Sequence, residues 1–243
     1  MDFNRINQAY PAAPTADRAA FDEGLRAHMV RVYNYMVTGL GITGFVAAAV
    51  AYAAFNVPGV AQTLFGSPLQ YVIMFAPLAF IFFISFRAHA MSYTAILGSF
   101  MAFSAVMGLS MASIFLVFSG ESIARVFFIT AAMFAATSIY GYSTKADLTK
   151  MGSFMIMGLF GIVIASIANI FLGSDALGFA ISVIGVVVFT GLTAWDTQRI
   201  KEEYASNLGG EVAGKMAVFG ALSLYLNFIN LFVMLLSLLG NRE

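Results

Sequence analysis

Long apolar runs separated by short polar links dominate the chain. Seven stretches are both long and apolar enough to cross a bilayer: 32–55, 69–86, 93–118, 123–142, 152–172, 177–195 and 217–239. A spanning helix needs roughly 20 mostly apolar residues to cross a hydrocarbon core about 30 Å thick. Continuous runs of this kind predict helices, because a membrane strand would be about ten residues long and would alternate. The links carry turn residues, among them Asn56, Pro58 and Gly59, Gly66 and Pro68, Ser119 and Gly120, Gly173 to Asp175, and Asn207 to Gly210. Short links predict antiparallel neighbours in one membrane domain over 32–243. No internal repeat is visible, so an inverted-repeat transporter has no support. The predicted fold is an all-α integral membrane protein, a seven-transmembrane-helix bundle.

The residues before the first span read differently. Residues 1–18 are polar and contain Tyr10, Pro11 and Pro14, and a mobile cytoplasmic tail is expected there. Residues 19–31 place Phe21, Leu25 and Met29 at spacing four, which predicts a short amphipathic lead-in lying at the membrane interface. No cleavable signal peptide is expected, because charges crowd this region and no cleavage site follows a short apolar core.

Charge sets the orientation. One side of the predicted bundle collects Arg5, Arg18, Arg26, Arg31, Arg87, Lys145, Lys150, Arg199, Lys201 and Lys215; the other collects Arg125 and Arg242. The cationic side is the cytoplasmic one. An inner-membrane protein with a cytoplasmic N-terminus and a periplasmic C-terminus is therefore expected.

Composition agrees with lipid as the solvent. Hydrophobic residues make up 60% of the 243 and charged residues 10%, against about a quarter charged in ordinary soluble domains. A net charge of zero gives no basic footprint for nucleic acid. There is no Cys, and His28 and His89 are too few for a His-based metal centre. No resident cofactor is expected.

In a bilayer the informative residues are those that are costly to bury. Asp196 closes the sixth span beside Thr193, Thr197, Gln198, Arg199 and Lys201. It either pins the helix end at the interface or faces a wet vestibule. Ser223, Asn227 and Asn230 stand at i, i+4 and i+7 in the seventh span and share one face. That stripe either bonds neighbouring helices or lines a pathway. Arg87 closes the second span and is either a snorkelling anchor or a partner of Asp196. Glu121 and Arg125 are spaced for a local ion pair. Ser104, Gly108 and Ala112 form a small-residue stripe suited to close helix packing. No hydrolase, zinc-protease or phosphate-loop motif is present, and no enzyme activity is expected.

Four segments resemble the Bax inhibitor-1 family, also called the transmembrane Bax inhibitor motif family, and especially its bacterial YccA-like members. They are GLRAHMVRVYNYM at 24–36, YGYSTKADLTK at 140–150, AWDTQRIK at 194–201 and ALSLYLNFINLF at 221–232. The resemblance implies six helices around a central seventh. It implies a role in cation homeostasis, with pH-sensitive Ca2+ leak, or, as in YccA-like members, the binding and restraint of an FtsH-type membrane protease. Beyond that partner and the lipid bilayer, a monomer or small oligomer is expected. The family's pH sensor is a pair of aspartates on the sixth and seventh helices, with an arginine on the second helix able to latch onto the first.

The sixth-helix aspartate matches Asp196 and the arginine matches Arg87, but the seventh-helix position is Asn227. The resemblance thus makes Asp196, Asn227 and Arg87 the ion path or gate, Ser223 and Asn230 its supporting stripe, and Asp196 a ligand of transported or weakly bound Ca2+. Two close carboxylates share a proton and titrate as a unit. A neutral Asn227 removes that coupling and weakens affinity for a hard cation. A weaker pH response is expected than in members with both aspartates.

Overall fold

The computed structural model describes residues 15–205 and 208–241, apart from the side chains of residues 15–18 and His89. Eight helices follow one another: α1 (Thr15–Asn56), α2 (Val60–Phe65), α3 (Leu69–Arg87), α4 (Tyr93–Met111), α5 (Gly120–Ser143), α6 (Thr149–Leu172), α7 (Asp175–Glu203) and α8 (Gly210–Leu239). All but α2 are long and apolar enough to cross a membrane. Each of the seven predicted runs falls on a different one of these seven helices, the third overrunning the end of α4.

The boundaries differ where polar helix formers take over. α7 continues through Gln198, Arg199 and Lys201 to Glu203, and α8 starts at Gly210 rather than 217. Hydropathy stops at the edge of the lipid, but backbone hydrogen bonding does not, and Gln, Arg, Lys and Glu all favour helix. At the other extreme, α4 does not run on to 118. It tightens into a 3-10 turn over Ala112–Leu116.

Helix starts follow the serines. Ser92, Ser119 and Ser174 each accept a hydrogen bond from the backbone N–H three residues on, capping α4, α5 and α7. Between α6 and α7 the chain reverses at Gly173, whose φ of 60° is the left-handed conformation that suits glycine. The Asn169 side chain accepts from the Ser174 N–H at 3.0 Å and fastens this turn.

The expected separate lead-in is absent. Residues 15–31 are the first turns of α1 itself, a single helix of 42 residues. Leu25 and Met29 are buried, so their spacing-four stripe faces protein rather than a lipid surface. The rings of Phe21 and His28 both lie 5.4 Å from that of Tyr204. Of the expected mobile tail, residues 15–18 are helical and residues 1–14 lie outside the described residues.

α8 is the centre of the bundle. Of the span in α8, 56% is buried, against 6% in α6. α8 packs on α1, α4, α5 and α7, and these four form the ring immediately around it. α3 leans principally on α4, and α6 on α7, so both stand further out than a simple six-around-one arrangement has them.

Small residues bring the ring together. Ser104, Gly108 and Ala112 are all buried, as the stripe predicts, and face α1. A Cβ on Gly108 would lie 2.6 Å from the Thr43 carbonyl oxygen. Gly141 of α5 lies equally close to α7, where a Cβ would meet the Ala194 carbonyl oxygen at 2.2 Å. Close backbone approach of this kind drives helix packing in lipid, where no hydrophobic effect separates helix from solvent. At the core, the fully buried Tyr225 hydroxyl donates to Thr43 Oγ1 at 2.6 Å, and Thr43 donates to the Ser104 carbonyl at 2.9 Å. The rings of Phe100 and Phe103 meet Tyr225 edge-on.

Candidate functional site

Asp196 sits on the last turns of α7 where that helix packs against α8, and only 4% of its surface is exposed. Both carboxylate oxygens are occupied. Oδ1 lies 2.7 Å from Arg199 Nη2. Oδ2 accepts from Ser223 Oγ and from Asn227 Nδ2, both at 2.7 Å. An ionised carboxylate can only accept, so the amide of Asn227 must turn its nitrogen toward Asp196. A buried charge in a membrane protein demands a countercharge and full hydrogen bonding, and this one has both.

The countercharge is Arg199, one turn along the same helix. Its side chain remains 39% exposed, so the pair reaches from the buried α7–α8 seam to the helix end. Arg199 also donates to Ser223 Oγ at 3.4 Å and stacks its guanidinium 5.0 Å from the Trp195 ring centre. Its Nε is buried and has no hydrogen-bond partner, with Glu203 at 3.9 Å. Trp195, Glu203 and Ser223 thus hold Arg199, the one cation among the described residues that meets Asp196.

Arg87 does not fill this role. It is exposed at the end of α3, on a helix that leans on α4 rather than α7, and it forms no ion pair among the described residues. The position expected for a latch on Asp196 is taken by Arg199, named in the sequence only as its neighbour at the end of the sixth span. The i, i+3 spacing of Asp196 and Arg199 is the signal that points to their pairing.

The polar stripe of α8 divides. Ser223 and Asn227 converge on Asp196, but Asn230 turns its amide to its own helix and donates to the Leu226 carbonyl at 2.8 Å. Among the described residues Asp196 and its polar neighbours Thr193, Thr197 and Gln198 are buried and do not face a wet vestibule. Thr193 and Thr197 are fully buried and donate to the backbone carbonyls of Phe189 and Thr193. Gln198 faces the α5–α6 link. It donates to the Ala146 carbonyl and accepts from the Leu148 N–H, both at 2.8 Å. Lys201 ties the same side of α5 by donating to the Tyr142 carbonyl at 2.7 Å. The polar cluster is therefore a knot of groups, all but Arg199 Nε hydrogen-bonded, that closes the α5, α7 and α8 ends together.

Among the described residues no group of three or more His, Asp or Glu side chains gathers to hold a metal. Chemically, the cluster can offer a cation the Asp196 carboxylate, together with Ser223 Oγ and the Asn227 carbonyl after a flip of its amide. Each of those oxygens becomes available only as a present hydrogen bond is released. The Glu121–Arg125 pair forms as expected, at 3.3 Å and in solvent.

Comparison with known proteins places this architecture. The family model described as inhibitor of apoptosis-promoting Bax1 matches residues 25–243. An uncharacterised protein of Rickettsia prowazekii is 46% identical over 94% of this chain and 95% of its own length. A protein of Caulobacter vibrioides, also uncharacterised, is 44% identical over 99% of this chain and 100% of its own. The inner membrane protein YbhL of Escherichia coli K12 is 42% identical over 90% of this chain and 94% of its own. With its seven apolar helices packed around α8, this chain belongs to the Bax inhibitor-1 family.

Proposed function

We propose that this protein is a cation leak or ion-homeostasis protein, without catalytic activity, that passes Ca2+ along the α7–α8 seam. The observation that carries the reading is the buried Asp196 carboxylate, held by Arg199, Ser223 and Asn227 in the seam between the last turns of α7 and α8. A charge retained at such a position in a membrane protein is a mark of function. Opening requires the Asp196–Arg199 pair to part, so that the carboxylate faces the ion in place of the guanidinium. Arg199 is thus the closing charge, and Arg87 is left as an anchor at the end of α3.

The pH response is weak in this reading. Asn227 supplies a donor to Asp196 at every pH, where a second carboxylate would supply one only when protonated. The protein resides in the cytoplasmic membrane, as the name of YbhL states for that relative. Its N-terminus faces the cytoplasm and its C-terminus the periplasm, by the ten-to-two division of Lys and Arg.

The test is Ca2+ flux into liposomes carrying purified protein, read with an entrapped dye. Wild type should exceed empty vesicles, and Arg199→Ala should exceed wild type. Absence of flux from wild type, Arg199→Ala and Arg87→Ala alike removes the reading.

A second reading rests on the polar residues 1–14 that precede α1. A membrane-bound protease of the FtsH type needs a polar, ungripped end to start from, and the composition of this segment suits that role. Deleting residues 2–14 should then release the protease while leaving flux unchanged. Co-purification of protease with the truncated chain at the wild-type level would dismiss the tail as the handle.

A further inference from the structure

We propose that the long groove between α1 and α5 is a binding site for one membrane phospholipid, its phosphate on Arg26 and its acyl chain along the groove. α1 and α5 both pack on α8 but stand apart from each other, which leaves a cavity of about 970 Å³ between them. This lies at the top of the ~300–1,000 Å³ range in which proteins hold small amphiphilic molecules. Phe134 of α5 and Phe228 of α8 form the floor, their rings 5.5 Å apart. Met36 and Leu40 form one wall, and Ala131 and Ala135 the other.

The groove has a polar end and an apolar end. Arg26, Tyr33, Tyr142 and Ser143 line one end, and Gly41, Gly44 and Phe127 the other. Arg26 is exposed and forms no ion pair with any described residue. The eighteen helical rises from Arg26 to Gly44 measure about 27 Å. The seven from Arg26 to Tyr33 span about 10 Å at headgroup depth, and the eleven from Tyr33 to Gly44 about 17 Å, close to half of a hydrocarbon core about 30 Å thick. Its dimensions therefore fit one leaflet, with a cation and hydroxyls at headgroup level and carbon beyond. A purely apolar transmembrane segment would leave Arg26 without a counter-ion. An anionic headgroup with an acyl chain satisfies both ends at once.

Gly41 and Gly44 make the acyl end possible. A Cβ at either position would meet nothing within 4 Å, so the absent side chains are open groove rather than close packing. The occupant would also lie beside the candidate ion site. Ser138 lines the groove and shares a hydrogen bond of 3.1 Å with Thr197, the neighbour of Asp196. Phe228 of the floor follows Asn227 in α8. The proposal does not depend on conduction.

The test uses the full chain in nanodiscs containing a phosphatidylglycerol with a photoreactive group on its acyl chain. Labelled peptides are mapped by mass spectrometry, and phospholipid retained through purification is counted per chain. Wild type should retain one phospholipid and take label in α1 and α5. Gly41→Leu combined with Gly44→Leu should lower both readings about tenfold, the equivalent of ~1.4 kcal/mol. Its thermal unfolding midpoint should hold or rise, because leucine favours helix over glycine. Arg26→Gln should lower retention severalfold and leave the midpoint unchanged. Label spread evenly over α3, α5 and α6 in wild type, with retention equal in all variants, would overturn the site. So would a wild-type dimer that the double glycine variant dissociates, because the groove would then hold a second copy.

Discussion

Asn227 donates its side-chain N–H to Asp196 Oδ2 at 2.7 Å across the seam between α8 and α7. A protonated carboxyl at position 227 would donate to Asp196 in the same way. The amide therefore stands where the proton-bearing member of an aspartate pair would stand, fixed in its donating form.

From this geometry, Asn227→Asp should behave like wild type at low pH and depart from it as pH rises. Below the transition the new carboxyl is protonated and donates to Asp196. Above it, two carboxylates face each other, repel and bind cations more strongly. Liposome Ca2+ flux measured against pH should show a step in Asn227→Asp and a flatter profile in wild type. Identical profiles would dissociate residue 227 from pH sensing.

The two arginines should separate cleanly in stability. Arg199→Gln leaves a buried carboxylate without its countercharge and should cost about 1–3 kcal/mol. Arg87→Gln removes an exposed side chain with no described partner and should stay within about 0.5 kcal/mol. Thermal unfolding in detergent measures both. In a double-mutant cycle, Asp196→Asn should couple to Arg199→Gln and not to Arg87→Gln.

Two glycine substitutions should have opposite outcomes. Gly141→Ala drives a methyl group into the Ala194 carbonyl of the neighbouring helix, 2.2 Å away, and a backbone cannot rotate aside. Forcing α5 from α7 should cost about 1–3 kcal/mol or more. Gly161→Ala meets nothing within 4 Å on the outer helix α6 and should be neutral or stabilising by up to about 1 kcal/mol. A melting curve of each variant decides the matter.

Gln198→Ala should loosen the α5–α6 link without unfolding the bundle. It frees the Leu148 N–H and the Ala146 carbonyl, both now held at 2.8 Å. Hydrogen exchange should rise over residues 144–148 and stay unchanged in α8. Uniform exchange rates across the chain would indicate that Gln198 does not fasten this link.

Apolar run length made the seven spans legible because the lipid thickness imposes it on every crossing helix. The convergence of Asp196 with Asn227 was legible too, through the polar face of α8 and the resemblance. Three things were not. The continuity of α1 was hidden because its first turns carry charges on faces away from the bundle, which hydropathy reads as interface. The i, i+3 spacing allows Asp196 to pair with Arg199, but that Arg87 stays away depends on how α3 stands relative to α7, and no sequence spacing encodes that. The short α2 was missed because Val60–Phe65 is too brief to register as a span.

α6 and α8 are similarly apolar, yet one is almost wholly wetted by lipid and the other is mostly enclosed by protein. Lipid asks only that a side chain be greasy, whereas a neighbouring helix asks for a particular shape. Most letters of α6 are therefore interchangeable among Leu, Ile, Val, Phe and Met, except where Gly152 and Gly158 admit Trp195 and Val188. More than half of the letters in the span of α8 are buried against a specific neighbour. Two stretches that look equally monotonous on the page thus carry very unequal amounts of the information that specifies this molecule.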